Sequence, residues 1–367
     1  MIYLNIFKHF SFRRLIFTSL LVLICIFYWA LILFFRILDE IFFFGYRKSK
    51  VKKPVFIISN PRSGTTYMHR LLCLDEDRFA YTLLYHTLLP SITFIKLVDV
   101  ISWIDRRVGG FGRKFADWID KVAFGGWSNV HPMGINQSEE DEGLYFFAMI
   151  SPALGLVCPF FDQFKDIQFP DRLPERDKKM IQNFYGNTVK RWMYCMGTDK
   201  VYLAKSVMST GRFHILLNEF PDARIVYLIR TPMKAVPSFA SMFTATWPWL
   251  SPDIPLKSPE GKSWCELAVN YYSYFYEQKD VLAPENFYTV RYEDLVEEPK
   301  ETVEGIYDHF NIEITPKFRE QLEKITVRSR NYKSKHKYAL EDYDMTPAEV
   351  YEPLKDLFAE FKFDPKP

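Results

Sequence analysis

Paired cysteines, a metal-ligand pattern and a strong charge of either sign are all missing from this 367-residue chain. The five cysteines (Cys25, Cys73, Cys158, Cys195 and Cys265) are odd in number and show no paired spacing. Cys25 also sits inside an apolar run, so reduced thiols fit better than a disulfide framework. Isolated thiols and His131 give no ligand spacing, and no metal site is expected. A net charge of +2 is too slight to imply nucleic acid as a partner. The length permits one large α/β domain or two small ones.

Aromatic residues are abundant instead, at 17% of the chain with 34 phenylalanines, which points to membrane contact or an apolar binding cavity. From Leu15 to Phe35, LIFTSLLVLICIFYWALILFF carries no charge. It is long enough to cross a ~30 Å hydrocarbon core as one helix. It has no small-residue cleavage site, so it reads as a retained single-pass anchor rather than a removed signal peptide. An interfacial hairpin continuing through Ile41 to Phe44 is the other arrangement. Lys8, Arg13 and Arg14 precede the run, whereas Arg36, Arg47, Lys48, Lys50, Lys52 and Lys53 follow it. That excess favours the cytoplasmic side for the domain that follows, with the Golgi lumen as the alternative. The sequon Asn136-Gln137-Ser138 agrees, because a glycan there would obstruct the candidate catalytic residues beside it. The expected division is a membrane anchor over 1–36, a basic juxtamembrane linker over 37–53 and one domain over 54–367.

The stretch PVFIISNPRSGTTYMHRLL, residues 54–72, reads as a buried strand, a tight loop and a helix opening. Val55 to Ile58 form the apolar run, and Ser59, Asn60 and Pro61 close it. Gly64 allows a sharp bend, and Thr65 and Thr66 begin a helix with Met68, Leu71 and Leu72 on its apolar side. Such a turn directs backbone N–H groups and a helix dipole at one spot, which favours an anion. The loop has Arg62 and no lysine, unlike the GxxxxGK[ST] loop of nucleoside triphosphatases.

Residues 79–130 mix aromatics with arginine and lysine, as expected of helical core, of an interfacial surface or of a pocket for an apolar ligand. In residues 131–150, Ser138 fits an N-cap with Glu139, Glu140, Asp141 and Glu142 filling the first helical turn. Acids there complement the helix dipole, and one of them, near His131, would equally serve as a base. A helix is expected from Asp177 to Met196, and strand Val201 to Ala204 then leads to Lys205 and Ser206. Next come a helix from Thr210 to Phe220 and strand Arg224 to Ile229, which ends at Arg230. Thr231 is the expected N-cap and Pro232 the first helical residue. Residues 247–262 read as a loop over the mouth of a binding site. Ser263 to Val281, Phe287 to Arg291 and Pro299 to Phe310 read as helix, strand and helix. Strands alternating with helices predict an α/β fold with a P-loop-like, doubly wound parallel sheet, preceded by a transmembrane helix. Ser59 to Gly64, Lys205 and Arg230 fall at carboxyl ends of strands, on the edge where ligands bind.

PRSGTT after a strand resembles the 5′-phosphosulfate loop of sulfotransferases that use 3′-phosphoadenosine 5′-phosphosulfate (PAPS). RIVYLIRTPMKAVPS, with Arg230 and Ser238 eight residues apart, resembles their 3′-phosphate-binding motif. The series of phosphosulfate loop, HP…EE, strand ending in Lys-Ser, strand-Arg-helix-Ser and RYEDL resembles the sulfotransferase group of bacterial and carbohydrate enzymes over roughly residues 54 to 345. The resemblance implies that Arg62, Ser63, Gly64, Thr65 and Thr66 hold the 5′-phosphosulfate, and Arg230 and Ser238 the 3′-phosphate. It implies Lys205 at the bridging oxygen, Glu140 or Glu139 as base, and His131 as a further catalytic partner. A late basic loop, through Arg328 or Lys335, would close on the nucleotide. Here the chain departs from the family, with Ala339 of HKYAL where a serine is usual.

The implied reaction moves a sulfuryl group from PAPS to a hydroxyl of a lipid, sterol or other apolar small molecule, giving a sulfate ester and adenosine 3′,5′-bisphosphate without a metal. A carbohydrate is the runner-up acceptor. From other classes, a P-loop kinase is opposed by the missing loop lysine. An inactive nucleotide-binding membrane protein is opposed by Glu140, His131 and Lys205.

Overall fold

The computed structural model describes residues 10–110, 112, 114, 117, 118, 120, 121, 134–160, 165–329 and 338–366. The chain opens with α1 (Phe12–Phe42), the long apolar helix expected near the N-terminus. Then come β1 (Val55–Ile58), α2 (Thr65–Leu72), β2 (Phe79–Tyr81) and α3 (Ile92–Val108). The short α4 (Glu142–Phe147) precedes α5 (Glu175–Met196), β3 (Val201–Lys205), α6 (Phe213–Glu219) and β4 (Arg224–Ile229). The remainder carries α7 (Pro232–Thr244), α8 (Pro259–Gln278), β5 (Phe287–Arg291), α9 (Tyr292–Glu297), α10 (Pro299–His309) and α11 (Pro316–Ser329).

All pairings in the sheet are parallel, in the order β2-β3-β1-β4-β5. β1 is central, with Phe56 opposite Ala204 of β3 and Ile225 of β4. Its four residues are all buried, which explains an uninterrupted apolar run where a half-exposed strand would alternate. Phe56 and Ile58 join a core with Trp192 of α5, Phe239 of α7 and Trp264 of α8. Val55 and Ile57 face the other way, onto Met68 and Leu72 of α2 and Val303 and Tyr307 of α10. Two-sided burial makes the sheet doubly wound. The chain leaves β1 toward β2 on one side and later returns on the other as β4. The loop after β1 therefore lies at the topological switch point, where such sheets bind ligands.

Four local expectations need correction, the first being the loop read over 247–262, which opens with a short helix over Trp247–Leu250 and closes with the start of α8 at Pro259. Residues Phe79–Tyr81 form an edge strand paired with Val201–Leu203, within a stretch read from sequence as helical core. The segment read as a helix from Thr210 to Phe220 is a 3₁₀ turn over Val207–Arg212 followed by α6. Ser138 is not an N-cap: it forms an antiparallel bridge with Leu83, and the helix starts only at Glu142.

α1 packs along the domain. Its buried positions, Arg14, Thr18, Cys25, Ile32 and Asp39, recur at steps of four and seven, which place them on one stripe. Arg14 pairs with Asp253 at 2.6 Å, and Trp29 Nε1 donates to the Phe147 carbonyl at 2.8 Å. Asp39 accepts from the Ser91 hydroxyl and the Thr93 amide, both at 2.8 Å, and from Arg191 Nε at 3.0 Å. It thus covers the N-terminal turn of α3, whose N-cap is Ser91.

Candidate active site

The loop joining β1 to α2 is shaped by two residues in the left-handed backbone region, Arg62 at φ 72° and Gly64 at φ 88°. Gly64 is required twice over, because a Cβ there would lie 2.9 Å from the Tyr292 ring. A non-glycine residue such as Arg62 in this region costs about 1–3 kcal/mol and is found where a ligand site compensates. α2 has Gly64 as its N-cap and no side-chain cap, so its first turn faces the loop with its positive dipole end. This backbone cradle fits a phosphate or sulfate group.

Arg230, just past β4, donates from Nη1 to the Arg62 carbonyl at 3.0 Å, and its guanidinium lies 4.4 Å from the centre of the Tyr292 ring. Its own carbonyl accepts from the Tyr272 hydroxyl at 2.9 Å. Arg62 Nε reaches Ser238 Oγ on α7 at 3.3 Å. Residues from the first and the fourth strand ends, far apart in sequence, thus share one place. The Arg62 side chain stands on the Ser238 side of it.

Lys205 ends β3 and is buried. Its ammonium lies 3.2 Å from Glu139 Oε1 and 3.3 Å from Thr66 Oγ1 on α2. Glu139 is fixed by its backbone, since its amide donates to the Thr82 carbonyl at 3.0 Å and its carbonyl accepts from Thr82 Oγ1 at 3.1 Å. His69, one turn along α2 from Thr66, is buried close by. Burial, and secondly the Lys205 charge, depress its pKa to about 3, so it stays neutral beside the ammonium.

The four consecutive acids serve different ends. Glu139 pairs with Lys205, and Asp141 accepts from Ser206 Oγ at 2.7 Å and from the Tyr185 hydroxyl. Glu142 is held by Arg212 and Ser151, with the Arg212 guanidinium 3.5 Å from the centre of the Tyr145 ring. Burial raises the pKa of Asp141, and that of Glu142 to about 7, against the pull of Arg212. Glu140 alone of the four is half-buried, and its amide donates to Glu139 Oε1 at 3.0 Å.

The loop residues Arg62 to Thr66, Lys205, Glu139, Glu140, Arg230 and Ser238 are thus gathered at the carboxyl edge of the sheet. His131 and Lys335 lie outside the described residues, and for Arg328 only the backbone, within α11, is described. Sequence reasoning gave no role to His69, Thr82, Ser206 or Tyr292. The only sequence signal for Tyr292 was its place directly after a strand in RYEDL.

A family model described as the Sulfotransferase family matches residues 54–316. The omega-hydroxy-beta-dihydromenaquinone-9 sulfotransferases Stf3 of Mycobacterium bovis and Mycobacterium tuberculosis are each 22% identical over 271 residues. The match takes in 71% of this chain but 63% of theirs, less than two thirds of those relatives. Among solved structures, sulfotransferase STF9 from Mycobacterium avium superposes with a TM-score of 0.70 at 16% identity, covering 88% of this chain and 80% of that one. Sulfotransferase STF1 from Mycobacterium tuberculosis H37Rv does so with a TM-score of 0.62 at 20% identity, covering 86% and 79%. These likenesses show a common fold.

Proposed function

Because the chain belongs to the sulfotransferase family, we propose that it transfers the sulfuryl group of PAPS to a hydroxyl of an apolar, membrane-resident acceptor, releasing a sulfate ester and adenosine 3′,5′-bisphosphate. The observation that carries this reading is Lys205, whose single ammonium reaches both Thr66 on the anion-binding helix and Glu139 in the acid run. Transfer by in-line displacement needs a positive group where the leaving phosphate gains charge, with a base on the far side of the sulfur.

In this mechanism the amides of Ser63 to Thr66 and the α2 dipole hold the 5′-phosphosulfate. Arg230 and Ser238 take the 3′-phosphate, joined by the Arg62 side chain that already touches Ser238. Lys205 turns from Glu139 to the bridging oxygen. Glu140, half-buried and next in sequence, takes the acceptor proton. The acceptor oxygen forms its bond to sulfur as the sulfur–oxygen bond to the phosphate breaks, and the electron pair goes to the phosphate beside the ammonium. Glu139 positions Lys205 between turnovers. Sulfuryl carries less negative charge than phosphoryl, so these cations suffice in this reading without a metal.

The acceptor class rests on two observations. α1 exposes apolar side chains along its length, and the curated relatives are named for an omega-hydroxylated dihydromenaquinone, a lipid. The donor test is a thermal-shift titration with adenosine 3′,5′-bisphosphate against ATP. Stabilisation by the bisphosphate alone supports PAPS, and equal or greater stabilisation by ATP overturns it. Incubating the protein with radiolabelled PAPS and fractionated extracts then tests the acceptor, with label expected in the lipid fraction. Label in the carbohydrate fraction would overturn the lipid reading.

A further inference from the structure

α1 has two unlike sides. Its buried stripe is bound into the domain, while Leu23, Phe27 and Phe34 on its outer side are more than half exposed. α3, which meets α1 at Phe35 and Phe94, also exposes Val100, Trp103 and Ile104. Arg107 lies over the Trp103 ring at 3.9 Å, the pairing of aromatic and cation typical of a membrane interface. Exposed Arg47, Lys48, Lys50, Lys52 and Lys53 follow the helix directly. An apolar side edged by cations is complementary to an anionic bilayer surface.

The points at which the domain holds α1 decide its attitude. Arg14 is fixed to Asp253, and Asp39 to Ser91, Thr93 and Arg191. At 1.5 Å per residue these anchorages are about 38 Å apart along the axis. That exceeds the ~30 Å hydrocarbon core. Were α1 perpendicular to the membrane, the polar domain surface that grips both of its ends would be drawn through the acyl layer. We infer that α1 lies flat in one leaflet, with its outer side among acyl chains and the domain on a single side, and does not cross the bilayer.

A cavity of about 520 Å³ at the end of α1 supplies the headgroup site of this arrangement. Arg36, Arg47, Lys190 and Arg191 line it, with Glu40 as the single carboxylate among the lining residues. Glu40 is shared by Arg47 at 2.5 Å and Arg191 at 2.6 Å, and Arg191 is also paired with Asp39 behind the cavity, so four cations meet two carboxylates. The cavity takes a phosphate group, and its place at the foot of a membrane-lying helix assigns that phosphate to an anionic lipid.

Topology tests the attitude directly and independently of catalysis. Phe10→Cys and Lys50→Cys, at exposed positions on either side of α1, are labelled with a membrane-impermeant maleimide on sealed vesicles carrying the full chain. Labelling of both from the same side is expected, and labelling from opposite sides overturns the inference. The five native cysteines, four of them buried, serve as the background control in the unsubstituted chain. For the cavity, binding is measured to phosphatidylcholine vesicles with and without phosphatidylglycerol. Arg47→Gln and Lys190→Gln should each weaken binding to the anionic vesicles about five-fold, with an unchanged thermal midpoint. Equal binding to both vesicle types, or displacement by inorganic phosphate at the lipid phosphate concentration, overturns the headgroup assignment.

Discussion

Lys205 Nζ sits 3.2 Å from Glu139 Oε1, both groups buried, at the edge of the sheet where the loop between β1 and α2 opens. A buried pair of this kind is not held for stability alone, since burial costs each ion about as much as their attraction returns. In the proposed mechanism its value lies in keeping a cation ready beside the loop. Lys205→Met is expected to lower kcat about 100- to 1000-fold while leaving the affinity for adenosine 3′,5′-bisphosphate within a few-fold. Single-turnover rates alongside nucleotide titration check this, and a loss confined to nucleotide affinity would remove Lys205 from the chemical step.

Glu140 and Glu139 are separable by the same measurements. Glu140→Gln should abolish transfer with nucleotide binding retained, because the substitution removes only the proposed proton acceptor. Glu139→Gln should lower kcat partially, since the displaced lysine still has Thr66 within reach. The opposite ranking would make Glu139 the base.

Arg230→Ala should weaken nucleotide binding first. A hydrogen bond to a charged partner contributes about 1.5–3 kcal/mol, so a loss of roughly ten- to a hundred-fold in affinity is expected, and a smaller one for Ser238→Ala. Calorimetric titration with adenosine 3′,5′-bisphosphate against adenosine 5′-phosphate checks it. The defect should appear with the bisphosphate and vanish with the nucleotide that has no 3′-phosphate.

His69 makes the stability of the site pH-dependent in a known direction. Its folded pKa of about 3 lies below the unfolded value near 6.5, so between these limits the unfolded chain binds the proton and the folded one does not. Its contribution is therefore intact above the unfolded value and is lost as pH falls. Buried Glu142, with its raised pKa, acts in the opposite sense over part of the same range, so the test must be a difference. Relative to His69→Gln, the wild type should lose roughly 1.4 kcal/mol per pH unit below pH 6.5. Urea unfolding of both proteins in detergent at several pH values reads this slope, and parallel curves would show that His69 is not buried in neutral form.

Much of the scaffold was legible because its signals are local. Four of the five strands are apolar β-prone runs bounded by turn residues, and the cations at the end of β3 and just past β4 could be read from where those runs stop. β2 escaped notice because three residues, Phe-Ala-Tyr, inside an aromatic stretch carry no period that separates strand from helix. The acid run was misread for a different reason. Ser-Glu-Glu-Asp-Glu satisfies every local rule for a helix start, but the conformation is set by distant partners: Leu83, Lys205, Ser206 and Arg212. The meeting of Arg62 with Ser238 and Arg230 likewise follows from strand order and not from spacing. In α1 the apolar run was plain, whereas the seam from Arg14 to Asp39 that fastens it to the domain is intelligible only once a partner surface is known.

That seam bears on how the enzyme is prepared. Expressing only residues 54–367, the obvious way to avoid a greasy terminus, would strip Arg191 of Asp39 and Glu40 and expose the leading turn of α3. Leaving one member of a buried ion pair behind costs about 3–5 kcal/mol, a large fraction of what holds a domain of this kind together. Shortened versions should therefore accumulate as inclusion bodies, and the intact polypeptide in lipid nanodiscs is the form in which turnover ought to be sought.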